Sequence, residues 1–466
     1  MSDIADTGCP GGLTPGARSG LDGVVTKQIA LSALIVPPGN TTGAWRHPDV
    51  DPAMVTDVEQ YKQMAQLAER GFFDLFFLAD TPATRTDNLE YWSQSPMYFN
   101  SLEPLTVLSA VAGATQHIGL GATASTSFVE PFNIARMFAS LDHISHGRAA
   151  WNVVTSANDY AARNFGQAKL APHDERYVMA EEAFDVVSSY WDTWEDDAFV
   201  YDKENAVNFD PSKFHVVDHD GKFFRVYGGL PIARPPQGWP VIIQAGASVP
   251  GKELAARTAE VVFGTGSSVE AAKAFYDDLK GRMEKYGRHP DELKVLSGLQ
   301  VIVGRTEAEA IEKRELMDSL VPIGAKIMHL CNDLETSLFD LPLDEPVPLD
   351  RIPEKSNHHQ VYFAEAADLI RQGLTLREVA MRFTRATTVF CGDPVQVADH
   401  LQDWVDQGAG DGFMMSVNWL PGNLADFVEL AIPELQRRGM VRTEWTGSTL
   451  RENLGLARPA NQHVKS

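Results

Sequence analysis

The stretch "GLGATASTSFVEPFNIARMFASLDHISHGRAAWNVVTS" (residues 119–156) decides the fold. Its opening belongs to an apolar run, "HIGLGATAST" (117–126), that ends in Ser125 and Thr126. Pro131 then starts a segment with apolar residues at helical spacing, running to about residue 145. A second apolar run, Ala149 to Val154, follows a Gly-Arg turn and breaks at once into Thr155 and Ser156. Strand, helix and strand in so short a length form a βαβ unit, whose strands lie parallel with a right-handed crossover. Small polar groups crowd both strand ends, which is where ligands sit in parallel α/β proteins.

The alternation extends in both directions. "KQIALSALIV" (27–36) and "FDLFFLAD" (73–80) read as strands before it; "PVIIQAGAS" (240–248), "EVVFGTG" (260–266), "VLSGLQVIVG" (295–304) and "GFMMSV" (412–417) follow it. Amphipathic helical stretches run from Met54 to Arg70, from Pro104 to about Thr115, from about Asp174 to Asp192 and from about Asn423 to Arg438. Eight strands, most followed by a helix, predict an α/β chain folded as a (β/α)₈ TIM barrel rather than an open sheet.

The barrel is expected over 27–440, with insertions after strands 4 and 7. The first, at about 195–238, contains "KFHVVDHDGKFFRV" (213–226), two alternating runs around Asp220-Gly221 that read as a β-hairpin. The second, at about 305–392, is too long for one crossover. It holds a Pro- and Asp-rich loop, "LFDLPLDEPVPLDRIPEKSNHH" (338–359), of the kind that serves as a lid. A Gly-rich polar arm (1–26), read as disordered, precedes the barrel, and a tail (441–466) follows it.

Composition narrows the function. A formal charge of −23 repels a phosphate backbone, so neither nucleic acid nor an anionic membrane is expected as a partner. No apolar run approaches a membrane span and the N-terminus lacks a signal-peptide core, so a cytoplasmic protein is expected. Cys9, Cys331 and Cys391 are far apart, odd in number and without a C-x-x-C pair, which favours inert thiols over a disulfide framework or zinc site. His215 and His219 have metal-like spacing but lie on a hairpin, and no metal is expected. H-E-x-x-H, a P-loop lysine and G-x-S-x-G are all missing, which weakens protease, nucleotidase and hydrolase readings.

The chemistry-bearing residues gather at strand ends. Asp80 ends the second strand, Ser125 and Thr126 the third, Thr155 and Ser156 the fourth and Ser248 the fifth. Such hydroxyls suit a flat, polar cofactor held by hydrogen bonds; each can equally cap the helix that follows. "APHDERY" (171–177) puts His173 and Tyr177 four residues apart on one helix face, either as a phosphate or ribityl contact or as a packed Tyr beside a surface His. "QAGAS" (244–248) and Gly251 bring small residues to a helix start, the composition of a phosphate cradle or of an ordinary β-to-α turn.

"GAWRHP" (43–48), the whole of 119–156, "NFG" (164–166) and "QAGAS" together resemble one family. It is the nitrilotriacetate monooxygenase and dibenzothiophene-sulfone monooxygenase family of the bacterial luciferase-like superfamily. The resemblance covers nearly the whole chain from Lys27. It implies a luciferase-like barrel that takes reduced FMN (FMNH2) from a separate NAD(P)H-dependent flavin reductase. It also implies transfer of one oxygen atom from O2 to a small organic substrate through a flavin C4a-(hydro)peroxide.

On that resemblance His173, Tyr177 and Ser248 hold the ribityl-phosphate tail, and Asp80 and Thr126 lie closer to the ring. Ser156, with Asn152 on its strand, lies near the reactive edge. A homodimer or homotetramer is also implied, and Phe77, Phe128, Trp45 and Trp151 are candidate walls of a dry chamber. Arg46 and Arg163 are candidates to pair an acidic substrate, or else structural ion-pair partners. The alternative on the same barrel is a deazaflavin-dependent oxidoreductase that moves hydride. Behind it stand a flavin-binding relative without catalysis and a cofactor-free lyase or isomerase.

Overall fold

The computed structural model describes residues 28–464, apart from 87–88, 95–98, 157, 265, 267, 355–359 and 384–388. Cys9, the arm 1–26 and the pair His358-His359 lie outside the described residues. In chain order the strands are β1 (Ala30–Ile35), β2 (Leu75–Leu78), β3 (Gly119–Ser125), β4 (Ala149–Val154), β5 (Val217–Asp220) and β6 (Arg225–Gly228). They continue with β7 (Val241–Gln244), β8 (Val261–Gly264), β9 (Lys294–Leu299), β10 (Val301–Val303), β11 (Phe390–Gly392) and β12 (Gly412–Ser416). Eight of them close a barrel in the order β1-β12-β9-β8-β7-β4-β3-β2. Every pairing in it is parallel, so all eight strand C-termini open on the same mouth. The expected (β/α)₈ barrel is therefore present.

Side-chain alternation along each strand divides the apolar residues between two cores. Inside the barrel, Leu75, Phe77, Ala150, Ile243, Phe263 and Leu296 belong to one buried cluster. Gly121 on β3 makes room for it: a Cβ there would stand 3.1 Å from the Phe77 ring. Leu450, Leu454 and Leu456 from the C-terminal segment join the same cluster. Arg451 in that segment is buried and pairs with Glu260, its Nη2 also donating to the Trp239 carbonyl at 3.0 Å.

Trp151, a candidate chamber wall from the sequence, faces the other way. Its neighbours Ala150 and Asn152 point into the barrel, so period-two alternation turns the indole outward. It is fully buried, donates from Nε1 to the Ala124 carbonyl at 3.1 Å, and packs on Phe138 and Trp191 of the surrounding helices.

The run 295–304, read as one strand, is two. β9 stays in the barrel, whereas β10 leaves it at Gln300 and pairs in parallel with β11. A continuous apolar run cannot signal such a break, because both pieces are buried. The β10–β11 clasp closes the base of the helical segment 307–382, which has its own core of Leu330, Leu334, Ile370, Leu376 and Val379. The hairpin expected around Asp220-Gly221 forms as the antiparallel pair β5–β6.

The His-Gly-Arg turn before β4 explains how the βαβ unit is fastened. His146 and Gly147 both take positive φ, 57° and 88°, which turns the chain sharply into the barrel. Arg148 follows, 2% exposed. Its guanidinium donates to the carbonyls of Ser145 (2.7 Å), Ile118 (2.9 Å), Ala112 (3.0 Å) and Thr115 (3.1 Å), and to the Thr115 hydroxyl (2.9 Å). It thereby satisfies the C-terminal carbonyl of the Pro104–Ala112 helix and ties that helix to the starts of β3 and β4. Removing it strands buried carbonyls, so Arg148→Ala should cost about 3 kcal/mol. Arg148→Lys should restore less than half of that, because an ammonium lacks the planar fork. Urea unfolding of both variants checks this; a loss below about 1 kcal/mol in the alanine variant would contradict it.

Candidate active site

Two cavities open at the barrel mouth. The smaller, about 270 Å³, is formed by residues just past β2, β4 and β7, including Asp80, Pro82, Ser156, Asn158, Tyr177 and Gly246. The larger, about 560 Å³, is walled by loops past β1, β2, β9 and β12 and by the helices Glu307–Leu320 and Ile323–Leu334. The two adjoin, since Pro82 lines one and Ala83 the other, and likewise Ala161 and Tyr160.

Three consecutive hydroxyls at the end of β3 lace it to the end of β4. Ser125 Oγ lies 2.8 Å from Ser156 Oγ, Thr126 Oγ1 donates to the Val154 carbonyl at 3.2 Å, and Ser127 Oγ donates to the Thr155 carbonyl at 2.8 Å. Ser156 sits at φ 55°, a left-handed conformation that costs a non-glycine residue energy and persists only where neighbours fix it. Arg176 supplies the other half of the grip, donating from Nη1 to the Ser156 carbonyl and to the Thr155 carbonyl at 3.2 Å. The sequence reading passed over Arg176, although it stands between His173 and Tyr177 in the same motif.

Asn152 lies one inward position below Val154, which lines the smaller cavity. The residue is 4% exposed; its amide donates to Thr123 Oγ1 at 3.0 Å while Oδ1 has no hydrogen-bond partner among the described residues. A buried acceptor left open beneath a cavity is a place for a donor from a ligand.

Asp80 lines the smaller cavity from the opposite side. Burial pushes its carboxyl up to about 6, and the nearby Glu103 adds to the rise, against a hydrogen bond from the Thr81 backbone. Glu103 is held in place by capping the Pro104–Ala112 helix, accepting from Leu105 N at 2.9 Å and Thr106 N at 2.7 Å.

The third corner is the "QAGAS" turn. Ser248 caps the Val249–Thr258 helix, its Oγ accepting from Gly251 N at 3.2 Å, which leaves its own O–H to donate outward. A Cβ on Gly251 would stand 3.0 Å from the Tyr177 hydroxyl and 3.1 Å from Ser248 Oγ; one on Gly246 would stand 3.3 Å from the Tyr177 hydroxyl. Two hydroxyls thus converge where the backbone carries no side chain. His173 packs at a tilt against Tyr177, ring centroids 5.0 Å apart, and its Nδ1 lies 2.9 Å from Asp174 Oδ1 at the exposed rim.

Asp80, Ser156 and Tyr177 therefore share one cavity, with Ser248, His173 and Asn152 around it. Thr126 is 1% exposed with its hydroxyl spent on β4, and it lines neither cavity. Phe77 is buried against Phe263 inside the barrel, and Phe128 stacks on Phe165 with centroids 4.5 Å apart. Trp45 donates to the Gln94 carbonyl at 3.2 Å. Arg46 donates to the Leu320 carbonyl at 2.6 Å and Arg163 is exposed, so neither candidate cation lines a cavity. His215 and His219 go to different carboxylates, Glu195 and Glu182, at 2.9 and 3.1 Å.

Because folding raises the Asp80 pKa, its ionised form opposes folding. That penalty is absent below the ordinary value of 3.8 and complete above about 6. Asp80→Asn should therefore gain stability relative to the parent as pH rises between about 4 and 6, read as a widening Tm difference. A difference independent of pH would contradict the raised pKa.

Comparison with known proteins follows the same lines. The family model described as luciferase-like monooxygenase matches residues 39–411. Nitrilotriacetate monooxygenase component A of Aminobacter aminovorans is 44% identical over 451 residues, covering 94% of this chain and 99% of that one. Dibenzothiophene-sulfone monooxygenase of Rhodococcus erythropolis is 39% identical over 91% of this chain and 96% of that one. Among solved structures, a riboflavin lyase crystallised with modified FMN and riboflavin superposes with a TM-score of 0.79 at 28% identity, covering 92% of this chain and 96% of that chain.

Proposed function

Because this chain belongs to the luciferase-like monooxygenase family and is a flavin-dependent monooxygenase, we propose that it works with reduced FMN supplied by a separate NAD(P)H-dependent flavin reductase. On this reading it inserts one oxygen atom from O2 into a small organic substrate. The nitrilotriacetate relative is a component A, which supports a two-component system. The observation that carries the reading is the convergence of Asp80, Ser156 and Tyr177 on one cavity, beside a turn whose backbone is bare at Gly246 and Gly251.

The residues present fit FMN. Tyr177 and Ser248 are neutral donors converging on a glycine-lined turn at a helix start, where a phosphate is held without a counter-charge. His173 would close the rim. Asn152 Oδ1 offers an open acceptor to an N–H of the ring. Bound reduced FMN supplies the electrons that activate O2.

The chain's own tasks are to bind, to orient and to keep water out. Ser156 and Ser125 share a hydrogen bond in which only one hydroxyl can donate, so the other keeps a hydrogen for a reacting oxygen. Asp80, its pKa near 6, is poised to hold or release a proton at its carboxyl around neutral pH. The larger cavity next door gives the organic substrate its place, roofed by the helices Glu307–Leu320 and Ile323–Leu334.

Incubation with a flavin reductase, NADH, FMN and ¹⁸O2, with a panel of amino-polycarboxylates, sulfones and sulfides, should give a product bearing one labelled oxygen. No labelled product with any member, while FMN is bound, would contradict the assignment. Ser156→Ala should raise the peroxide released per NADH by about threefold or more, with FMN affinity held within about twofold. Unchanged coupling would remove the role of Ser156.

A further inference from the structure

The larger cavity carries charge of the wrong sign for this chain. The sequence has a net charge of −23, yet among the described residues Arg85, Arg314 and Lys326 face the cavity against a single carboxylate, Asp318. Arg314 already satisfies Asp318, Nε to Oδ2 at 2.8 Å. Arg85 lies over the Trp92 ring at 4.7 Å and near that of Tyr160 at 5.8 Å. Lys326 is different: its ammonium makes no ion pair or side-chain hydrogen bond among the described residues.

Burial holds that ammonium below its ordinary range; Asp318 pulls it back up and Arg314 presses it further down. A half-buried cation beside a second cation, with Asp318 engaged by Arg314, is further stabilised when an anion enters. Removed from bulk solvent, such a pair focuses its field on the cavity. Trp92, Phe99, Met317 and Phe383 give the wall an apolar part suited to a carbon skeleton, beside neutral polar groups such as Asn40, Thr42 and Asn418.

We propose that the substrate is a small organic acid, carboxylate or sulfonate, and that Lys326, seconded by Arg314, binds its acidic group in the larger cavity. The proposal deepens the monooxygenase reading and rests on it for the identity of the bound molecule as substrate. It also divides the mouth by charge. The flavin phosphate goes to the neutral donors of the smaller cavity, and the substrate acid to the cations of the larger. The helix Ile323–Leu334 sets specificity through Lys326, since relatives with a neutral side chain at that position would lose the preference for acids.

Calorimetric titration of the full-length, flavin-free chain tests this without turnover. The probes are succinate, citrate and benzenesulfonate, each beside a neutral counterpart: dimethyl succinate, triethyl citrate and methyl phenyl sulfone. At least one acid should bind about tenfold or more tighter than its neutral counterpart, and whether it is a carboxylate or the sulfonate identifies the group. Lys326→Gln should weaken that acid about tenfold, Lys326→Arg should hold it within about threefold, and neither should move the affinity for FMN, measured by fluorescence quenching. Absence of binding by every acid, equal binding of the neutral counterparts, an unaffected Lys326→Gln variant, or loss of FMN in its place would each overturn the proposal. If the parent chain binds an acid at Lys326 yet never binds FMN, the monooxygenase reading fails and the anion site stands.

Discussion

Everything at the barrel mouth depends on the lacing of β3 to β4 by the hydroxyls of Ser125, Thr126 and Ser127. Parallel neighbours in a barrel are bonded along their length, but past the last paired residue the two chains are free to diverge. Here three side chains in a row carry the connection from Val154, the last residue of β4, on to Thr155 and Ser156 beyond it. That constraint holds Ser156 in its left-handed conformation, and Arg176 binds the carbonyls that the turn would otherwise leave open. A hydroxyl placed by strain and by four neighbouring groups keeps one orientation, which a reacting oxygen requires.

Below the mouth, the barrel is sealed. Leu450, Leu454 and Leu456 extend its apolar interior, and Arg148 fastens the βαβ unit at the same end. The consequence for function is rigidity where strands begin and accessibility where they end. Charge follows the same division: the chain as a whole is acidic, the smaller cavity is lined by neutral donors with one protonatable carboxyl, and the cations of the larger stand under the helical roof.

Much of this was legible from the residues. The eight barrel strands fall on the apolar runs, and Tyr177 and Ser248 meet at the "QAGAS" turn as the family resemblance implied. Three features were not legible, each for a physical reason. Thr126 and Ser156 look alike in sequence, yet only the tertiary register decides that one hydroxyl is spent on β4 and the other left at the cavity. The break at Gln300 is invisible because β10 finds its partner some ninety residues later, in β11. Lys326 is one charge among many on amphipathic helices; that it makes no ion pair among the described residues is a property of the packed structure, not of any local pattern.

The central claim is that the Tyr177–Ser248 corner and the mouth beside it bind reduced FMN. The most direct measurement is an anaerobic equilibrium titration of FMNH2 into the purified parent chain and into Gly251→Ala, whose added methyl would stand 3.0 Å from the Tyr177 hydroxyl. The account predicts micromolar or tighter binding by the parent and a loss of about tenfold or more in the variant. No binding by the parent, or equal binding by both, would contradict it.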